Sequence, residues 1–134
     1  MTRTVTALIP TTKLEVDKAR KLVALGYPLV APALAEMLEW VEDASWPVAE
    51  VFLPFLASIG APLAPQVRYV LQTPDEQWKR VVLGDIVGKS KPLAQALTVD
   101  LHRLKDSPSA AERAEGLDVL ADELFWKHCG DGKA

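Results

Sequence analysis

Hydrophobic residues recur at steps of three and four along most of the chain, which is the spacing of one face of an α-helix. The clearest series lies between Pro47 and Gly60 and consists of Val48, Val51, Phe52, Phe55, Leu56 and Ile59. β-Branched residues also fall at helical steps, and no stretch alternates apolar and polar positions as a half-buried strand would. The pattern therefore predicts an all-α protein.

Proline and glycine divide this pattern into about seven helices. Gly26, Gly60 and Gly88 each follow an apolar series, and glycine readily adopts the backbone conformations that end a helix. The predicted helices span 12–25, 29–41, 47–59, 62–72, 74–87, 91–105 and 109–128. Residues 1–11 are predicted to be an irregular lead-in and residues 129–134 a flexible end, so the whole chain, 1–134, is predicted to be one domain.

Three helix starts carry capping signals. Thr12 with Glu15, and Ser109 with Glu112, have the spacing of a capping box, in which each side chain binds the other residue's backbone amide. Thr73 is predicted to cap a helix whose first residue is Pro74.

Two stretches of the chain resemble each other. Each begins with Ala-Pro, continues as an apolar helix and reaches an acidic turn followed by tryptophan, at Asp43–Trp46 and at Asp75–Trp78. A degenerate third unit ends at Asp106, so the acidic turns lie about 32 residues apart. This period predicts a short α-solenoid of about three antiparallel helical hairpins. Whether the last predicted helix caps the stack stays open, although its acidic residues suit an outward capping face: Glu112, Glu115, Asp118, Asp122 and Glu123.

The layout resembles HEAT repeats, which also place a proline early in the first helix and an aspartate near the turn within the repeat. HEAT units are usually longer and often carry Val-Arg after that aspartate, whereas this chain has Pro47-Val48 and Lys79-Arg80-Val81. The resemblance implies stacked hairpins whose second helices, 47–59, 74–87 and 109–128, line a concave surface.

Four short motifs carry a narrower resemblance. They are Leu8-Ile9-Pro10, Leu38-Glu39-Trp40, Trp46-Pro47-Val48-Ala49 and Asp75-Glu76-Gln77-Trp78-Lys79. Together they cover residues 7 to about 90, and their combination resembles the bacterial family catalogued as domain of unknown function 5071. The resemblance implies a fold and no particular activity.

Charge and composition narrow the function classes. The formal net charge of −3 gives no electrostatic case for binding nucleic acid, which is the least favoured partner. That function would require a shared basic face formed by Lys79, Arg80, Lys89, Lys91, Arg103 and Lys105. A single cysteine, Cys129, excludes an intrachain disulfide, and no apolar run is long enough to span a membrane. We expect a cytoplasmic protein.

The sequence predicts no catalytic residue, metal site or cofactor site. His128 and Cys129 are adjacent, so on a helix their side chains diverge rather than converge on one ion. The stretch Gly84–Ser90 suggests a phosphate-binding loop, but its glycines are too close together and no strand precedes them.

Acidic residues supply the first candidate binding surface. Glu36, Glu39 and Glu42 follow one another at three-residue steps, with Asp43 and Glu50 nearby and no basic residue among them. Two interpretations are open: a solvated helix face, or a docking patch for a basic surface of another protein.

Tryptophans supply the second set of candidates. Trp46 and Trp78 occupy equivalent positions in the two units, and Trp40 adjoins the acidic residues. Trp46 and Trp78 either pack the turn, with the indole N–H reaching a carbonyl, or stand exposed and anchor a partner.

The hypothesis that these features favour is a non-catalytic protein–protein interaction module, either an adaptor or an immunity-type inhibitor. The alternative is a small-ligand-binding protein or enzyme with its site in the solenoid groove, using Glu50, Asp85 and Trp78.

Overall fold

The computed structural model describes residues 2–129 and is all-helical, with no strand in that range. Its α-helices are α1 (Thr2–Ala7), α2 (Val16–Leu25), α3 (Leu34–Glu39), α4 (Pro47–Ile59), α5 (Ala64–Leu71), α6 (Glu76–Asp85), α7 (Lys91–Ala96), α8 (Thr98–Asp106), α9 (Ala110–Ala114) and α10 (Leu117–His128). Short 3₁₀ segments precede three of them, at Ala31–Ala33, Ala61–Leu63 and Val87–Lys89. The all-α prediction is confirmed.

Helix α4 has the predicted bounds, and its ends show why. Trp46 is extended, with φ −68° and ψ 138°, because the following proline disfavours a helical conformation at that position. Pro47 then occupies the first turn, where a missing amide hydrogen costs nothing. Gly60 ends the helix with φ 80°, a conformation that side chains with a Cβ rarely adopt. The helix continues through Pro54.

The prediction of an irregular lead-in is wrong for residues Thr2–Ala7, which form helix α1, whereas residues 8–11 are irregular. Val5 is buried, and α1 packs against the 3₁₀ segment Ala31–Ala33. A six-residue helix is not stable alone, so tertiary burial rather than local propensity determines its conformation. The predicted flexible end lies outside the described residues, apart from Cys129.

Several predicted helices are shorter or divided. The segment 91–105 breaks at Leu97, which is fully buried with φ −108° and ψ 21°, between α7 and α8. The segment 109–128 breaks at Gly116, whose φ of 76° is left-handed, between α9 and α10. The 3₁₀ segments take up the first turns predicted for the helices at 29–41 and 62–72.

The capping signals gave mixed results. Ser109 and Glu112 form the predicted capping box. The box at Thr12 is wrong: the carboxylate of Glu15 instead accepts hydrogen bonds from the amide and hydroxyl of Thr11, at 2.6 and 3.0 Å, and α2 begins at Val16. Asp75, rather than Thr73, caps α6 by accepting a hydrogen bond from the amide of Trp78 at 3.0 Å.

The helices share one hydrophobic core that extends from Val5 to Leu124. Helix α2 packs on α4, α4 on α6, α6 on α10, and α10 on α8. Helix α3 packs on α5, and α5 packs on α6. Within residues 2–129 no single helix is long and apolar enough to cross a membrane, and Pro47–Ile59 with Ala61–Leu71 meet that requirement only as a pair bent by 112°.

Candidate functional site

Two acidic turns meet at one end of helices α4 and α6. Helix α3 ends at Glu39, so Glu42 lies beyond the helix and does not continue the slowly drifting helical stripe that its spacing predicts. Glu42 instead lies close enough to Asp75, in the connection between α5 and α6, for the two negative charges to interact. The turns that the sequence places in equivalent units therefore come together in space.

The charges in these turns are perturbed in different ways. Burial raises the pKa of Glu42 above its ordinary value, and the negative charges of Asp75 and Glu39 raise it further. Hydrogen bonds from the hydroxyl and amide of Ser45, at 2.6 and 2.9 Å, lower the pKa of Asp43, to which Lys13 also contributes. Of Glu42 and Asp43, Glu42 is thus the carboxylate whose negative charge is stabilised less by its neighbours.

None of these carboxylates is neutralised at short range. Among the side chains of residues 5–129, no lysine, arginine or histidine nitrogen lies within 4.0 Å of the following carboxylates. They are Glu36, Glu39, Glu42, Asp43 and Asp75. We call this set, together with Trp46, the acidic face.

A shallow concavity of about 220 Å³ lies at the centre of the acidic face. It is lined by Glu42, Asp43, Trp46, Asp75 and Gln77. Three of these five residues carry a carboxylate and none is basic, so the concavity favours a cationic group. Trp46 is partly exposed beside it.

The other two candidate tryptophans have structural contacts. Trp78 is only 7% exposed, and its indole N–H donates to the carbonyl of Leu38 at 2.9 Å, which ties α6 to α3. Trp40 donates to the carbonyl of Pro10 at 3.0 Å, and its ring meets that of Trp46 edge-on with centroids 5.8 Å apart. Trp40 therefore packs against Trp46, and Trp78 belongs to the core.

Glu50 lies in a different depression, the α4–α6 groove, of about 650 Å³. Its lining residues are Ala44, Glu50, Leu53, Pro54, Ala57, Ser58, Asp85 and Lys89. The structure therefore brings together Glu50 and Asp85 of the predicted groove set, but Trp78 is not part of it. Glu36 is exposed on α3.

A buried ionic cluster was missed by the sequence analysis. The carboxylate of Glu112, a residue only 3% exposed, lies 2.9 Å from the ammonium of Lys79, which is itself buried. Arg103 binds both oxygens of the same carboxylate, at 3.1 and 2.9 Å, and Lys79 also reaches Glu76 at 3.1 Å. The prediction that Glu112 faces outward is wrong, because these cations and the capping box hold it inside.

The pKa of Glu112 shows how complete this compensation is. Burial alone raises the pKa, but hydrogen bonds from Arg103, Ser109 and Lys79 outweigh it and lower the pKa to about 2. A cleft of about 710 Å³ adjoins the cluster, yet Lys79, Arg103 and Glu112 satisfy one another there. The cluster joins α6, α8 and α9.

The histidines and the cysteine are dispersed. His102 lies 3.1 Å from Asp106, the ring of His128 lies 3.2 Å from the carbonyl of Gly88, and the thiol of Cys129 faces the carbonyl of Ala94 at 3.4 Å. In the part of the chain that the structure describes, no group of three His, Cys, Asp or Glu side chains is arranged to hold a metal ion.

Comparison with protein families gives one assignment. The model of the family described as "Domain of unknown function (DUF5071)" matches residues 8–125, which include α7 to α9 and most of α10, well beyond the region covered by the sequence motifs. No curated protein matches the chain. The match covers most of the sequence, and the chain therefore belongs to the DUF5071 family.

Proposed function

We propose that this protein is a short HEAT-like solenoid that binds another protein through the acidic face and performs no catalysis itself. The observation that carries the proposal is the meeting of Glu42, Asp43 and Asp75 around Trp46 without a cation within ion-pair distance. The solenoid arrangement is supported by the successive packing of α4 on α6 and α6 on α10, which are the second helices of the predicted hairpins.

The partner's chemistry follows from the electrostatics. Like charges held together repel one another, and a basic surface relieves this repulsion on binding while it steers the encounter. Trp46 offers a partly exposed ring beside the carboxylates, and such a ring attracts lysine and arginine side chains through its π face. The expected partner is therefore a protein with clustered lysine or arginine side chains.

Two biological roles fit such a surface in a bacterial cytoplasm. An adaptor would hold a basic partner in place, and an immunity-type inhibitor would cover the basic active-site surface of a nucleic-acid-cleaving toxin. Both roles are proposed from the size, acidity and fold of the chain. A fold by itself does not specify a function, so a binding experiment must decide between them.

The test compares charge reversal on and off the acidic face. The variant Glu36→Lys/Glu39→Lys reverses two exposed charges of α3, and the control Asp17→Lys/Glu123→Lys makes the same change in net charge on α2 and α10. We expect the wild type and the control to capture one basic partner from the native lysate. With the purified partner, calorimetry should give at least about a tenfold weaker affinity for the α3 variant.

Circular dichroism establishes that both variants keep the helical content of the wild type. Equal weakening by the two variants would mean that net charge alone drives the association. A partner that binds the α3 variant as tightly as the wild type would contradict the proposal.

A further inference from the structure

The α4–α6 groove presents one face of α4 to solvent. Glu50, Leu53, Pro54 and Ala57 follow one another at the spacing of a single helix face, and all four line the groove. The span from Glu50 to Ala57 rises about 10 Å, the length of two helical turns. Asp85, the last residue of α6, belongs to the opposite wall.

The middle of this face is apolar. Leu53 and Ala57 are partly exposed, and Pro54 is exposed, although α4 is otherwise a core helix. The groove thus combines an apolar contact surface with the Glu50 carboxylate.

The net negative charge of the groove favours a basic occupant. Glu50 and Asp85 supply two carboxylates, whereas Lys89 supplies one ammonium. Among the described residues, neither carboxylate lies within ion-pair distance of a cation. Ala44, which also lines the groove, follows Asp43 directly, so the groove continues the acidic face along the chain.

We propose that the α4–α6 groove receives a two-turn amphipathic helix of the partner. The helix lays its apolar stripe on Leu53 and Ala57 and places a lysine or arginine between Glu50 and Asp85, in the manner of a helix bound in a groove. This inference rests on the proposed function, because it specifies which segment of a basic partner is bound.

The experiment uses defined peptides rather than an unknown partner. The probe is a fluorescein-labelled 14-residue helix of lysine and leucine, with its leucines at steps of three and four. A scrambled peptide of the same composition has no apolar stripe, and a glutamate–leucine peptide has the opposite charge. Fluorescence anisotropy should rank the lysine–leucine helix at least about tenfold tighter than either comparison peptide.

Two variants locate the binding. Ala57→Arg fills the groove with a cation, and Glu50→Lys reverses an exposed charge with little effect on packing. Each should weaken the lysine–leucine helix by at least about tenfold, whereas Ala24→Arg on the exposed side of α2 should leave its affinity unchanged. Glu50→Lys keeps the test decisive if Ala57→Arg fails to fold.

Equal binding of the scrambled peptide, or full affinity in both groove variants, would overturn the inference. Saturable binding of an apolar dye that Ala57→Arg abolishes, with no peptide binding, would also overturn it and assign the groove to a small ligand. The proposed function is tested separately. Capture of a partner by the wild type and its loss in Glu36→Lys/Glu39→Lys would support binding through the acidic face, whatever the result with the peptides.

Discussion

Glu42 and Glu112 are two carboxylates that burial affects in the same direction and that their neighbours affect in opposite directions. Burial raises the pKa of both. Around Glu112 the neighbours are Arg103, Ser109 and Lys79, which lower its pKa to about 2. Around Glu42 they are Asp75 and Glu39, which raise its pKa further.

The comparison separates carboxylates that hold the fold together from those left available. The donors to the Glu112 carboxylate come from α6, α8 and the backbone amide of Ser109, which caps α9, so its charge is used within the protein. The charge of Glu42 is opposed by its surroundings, and the free protein gains nothing from gathering it with Asp75. A group of this kind is a reasonable candidate for contact with an outside cation.

The largest effect should follow from breaking the buried cluster. Glu112→Ala leaves Lys79, only 4% exposed, with Glu76 as its remaining carboxylate, and the loss of one member of a buried pair typically costs about 3–5 kcal/mol. Urea unfolding measures this change in the free energy of unfolding. Glu123→Ala, an exposed change on α10, should stay within about 0.5 kcal/mol. Similar stabilities for the two variants would show that the cluster contributes nothing.

The tryptophans provide the next comparison. Trp78→Phe removes the donor to the buried carbonyl of Leu38 and should lower the free energy of unfolding by about 1–3 kcal/mol. Trp46→Phe, at a partly exposed ring of the acidic face, should change it by less than about 0.5 kcal/mol. Thermal and urea unfolding of both variants measure the difference. A larger loss at Trp46 than at Trp78 would reverse the assignment of core and surface.

The smallest effect concerns pH. The folded pKa of Glu42 is raised, so the folded state binds its proton more readily than the unfolded state, and the charge of Glu42 is destabilising at neutral pH. Glu42→Gln should therefore stabilise the protein at pH 7 by up to about 1 kcal/mol, and the advantage should vanish as the pH falls below the ordinary value of 4.5.

The contribution of Glu112 to stability depends on pH in the opposite direction. Its folded pKa is lowered, so its contribution is complete above 4.5 and is lost as the pH falls towards about 2. Urea unfolding of the wild type and of Glu42→Gln, between pH 7 and about pH 2, measures both pH dependences of the free energy of unfolding. An advantage of Glu42→Gln that persists at acid pH would be an effect of packing rather than charge.

The sequence predicted what neighbouring residues determine. The bounds of α4 follow from Pro47 and Gly60, and the capping box follows from Ser109 and Glu112, because each signal acts within a few residues. The break at Leu97 follows instead from tertiary burial, since no proline or glycine marks it. Gly116 offered a visible signal, but an isolated glycine in a helical pattern does not always end a helix.

The residues of the candidate site also divide into those that the local sequence predicts and those that depend on tertiary packing. The sequence pattern aligned Asp43 with Asp75, but the proximity of Glu42 to Asp75 depends on the packing of segments that lie far apart in the chain. The burial of Glu112 depends on Lys79, which lies 33 residues away, and no local pattern records that pairing. Trp40 stands outside the repeat, yet it has the indole-to-carbonyl bond expected of Trp46.

In the proposed solenoid, the buried pair between Lys79 and Glu112 would also limit how the number of units can change. In many repeat proteins a unit can be added or deleted because each unit contacts only its neighbours through similar apolar surfaces. In such a solenoid, a unit inserted between α6 and α9 would separate a buried ammonium from a buried carboxylate, and deletion of α9 would leave Lys79 with Glu76 alone. The pair would therefore disfavour the gain or loss of a unit between α6 and α9.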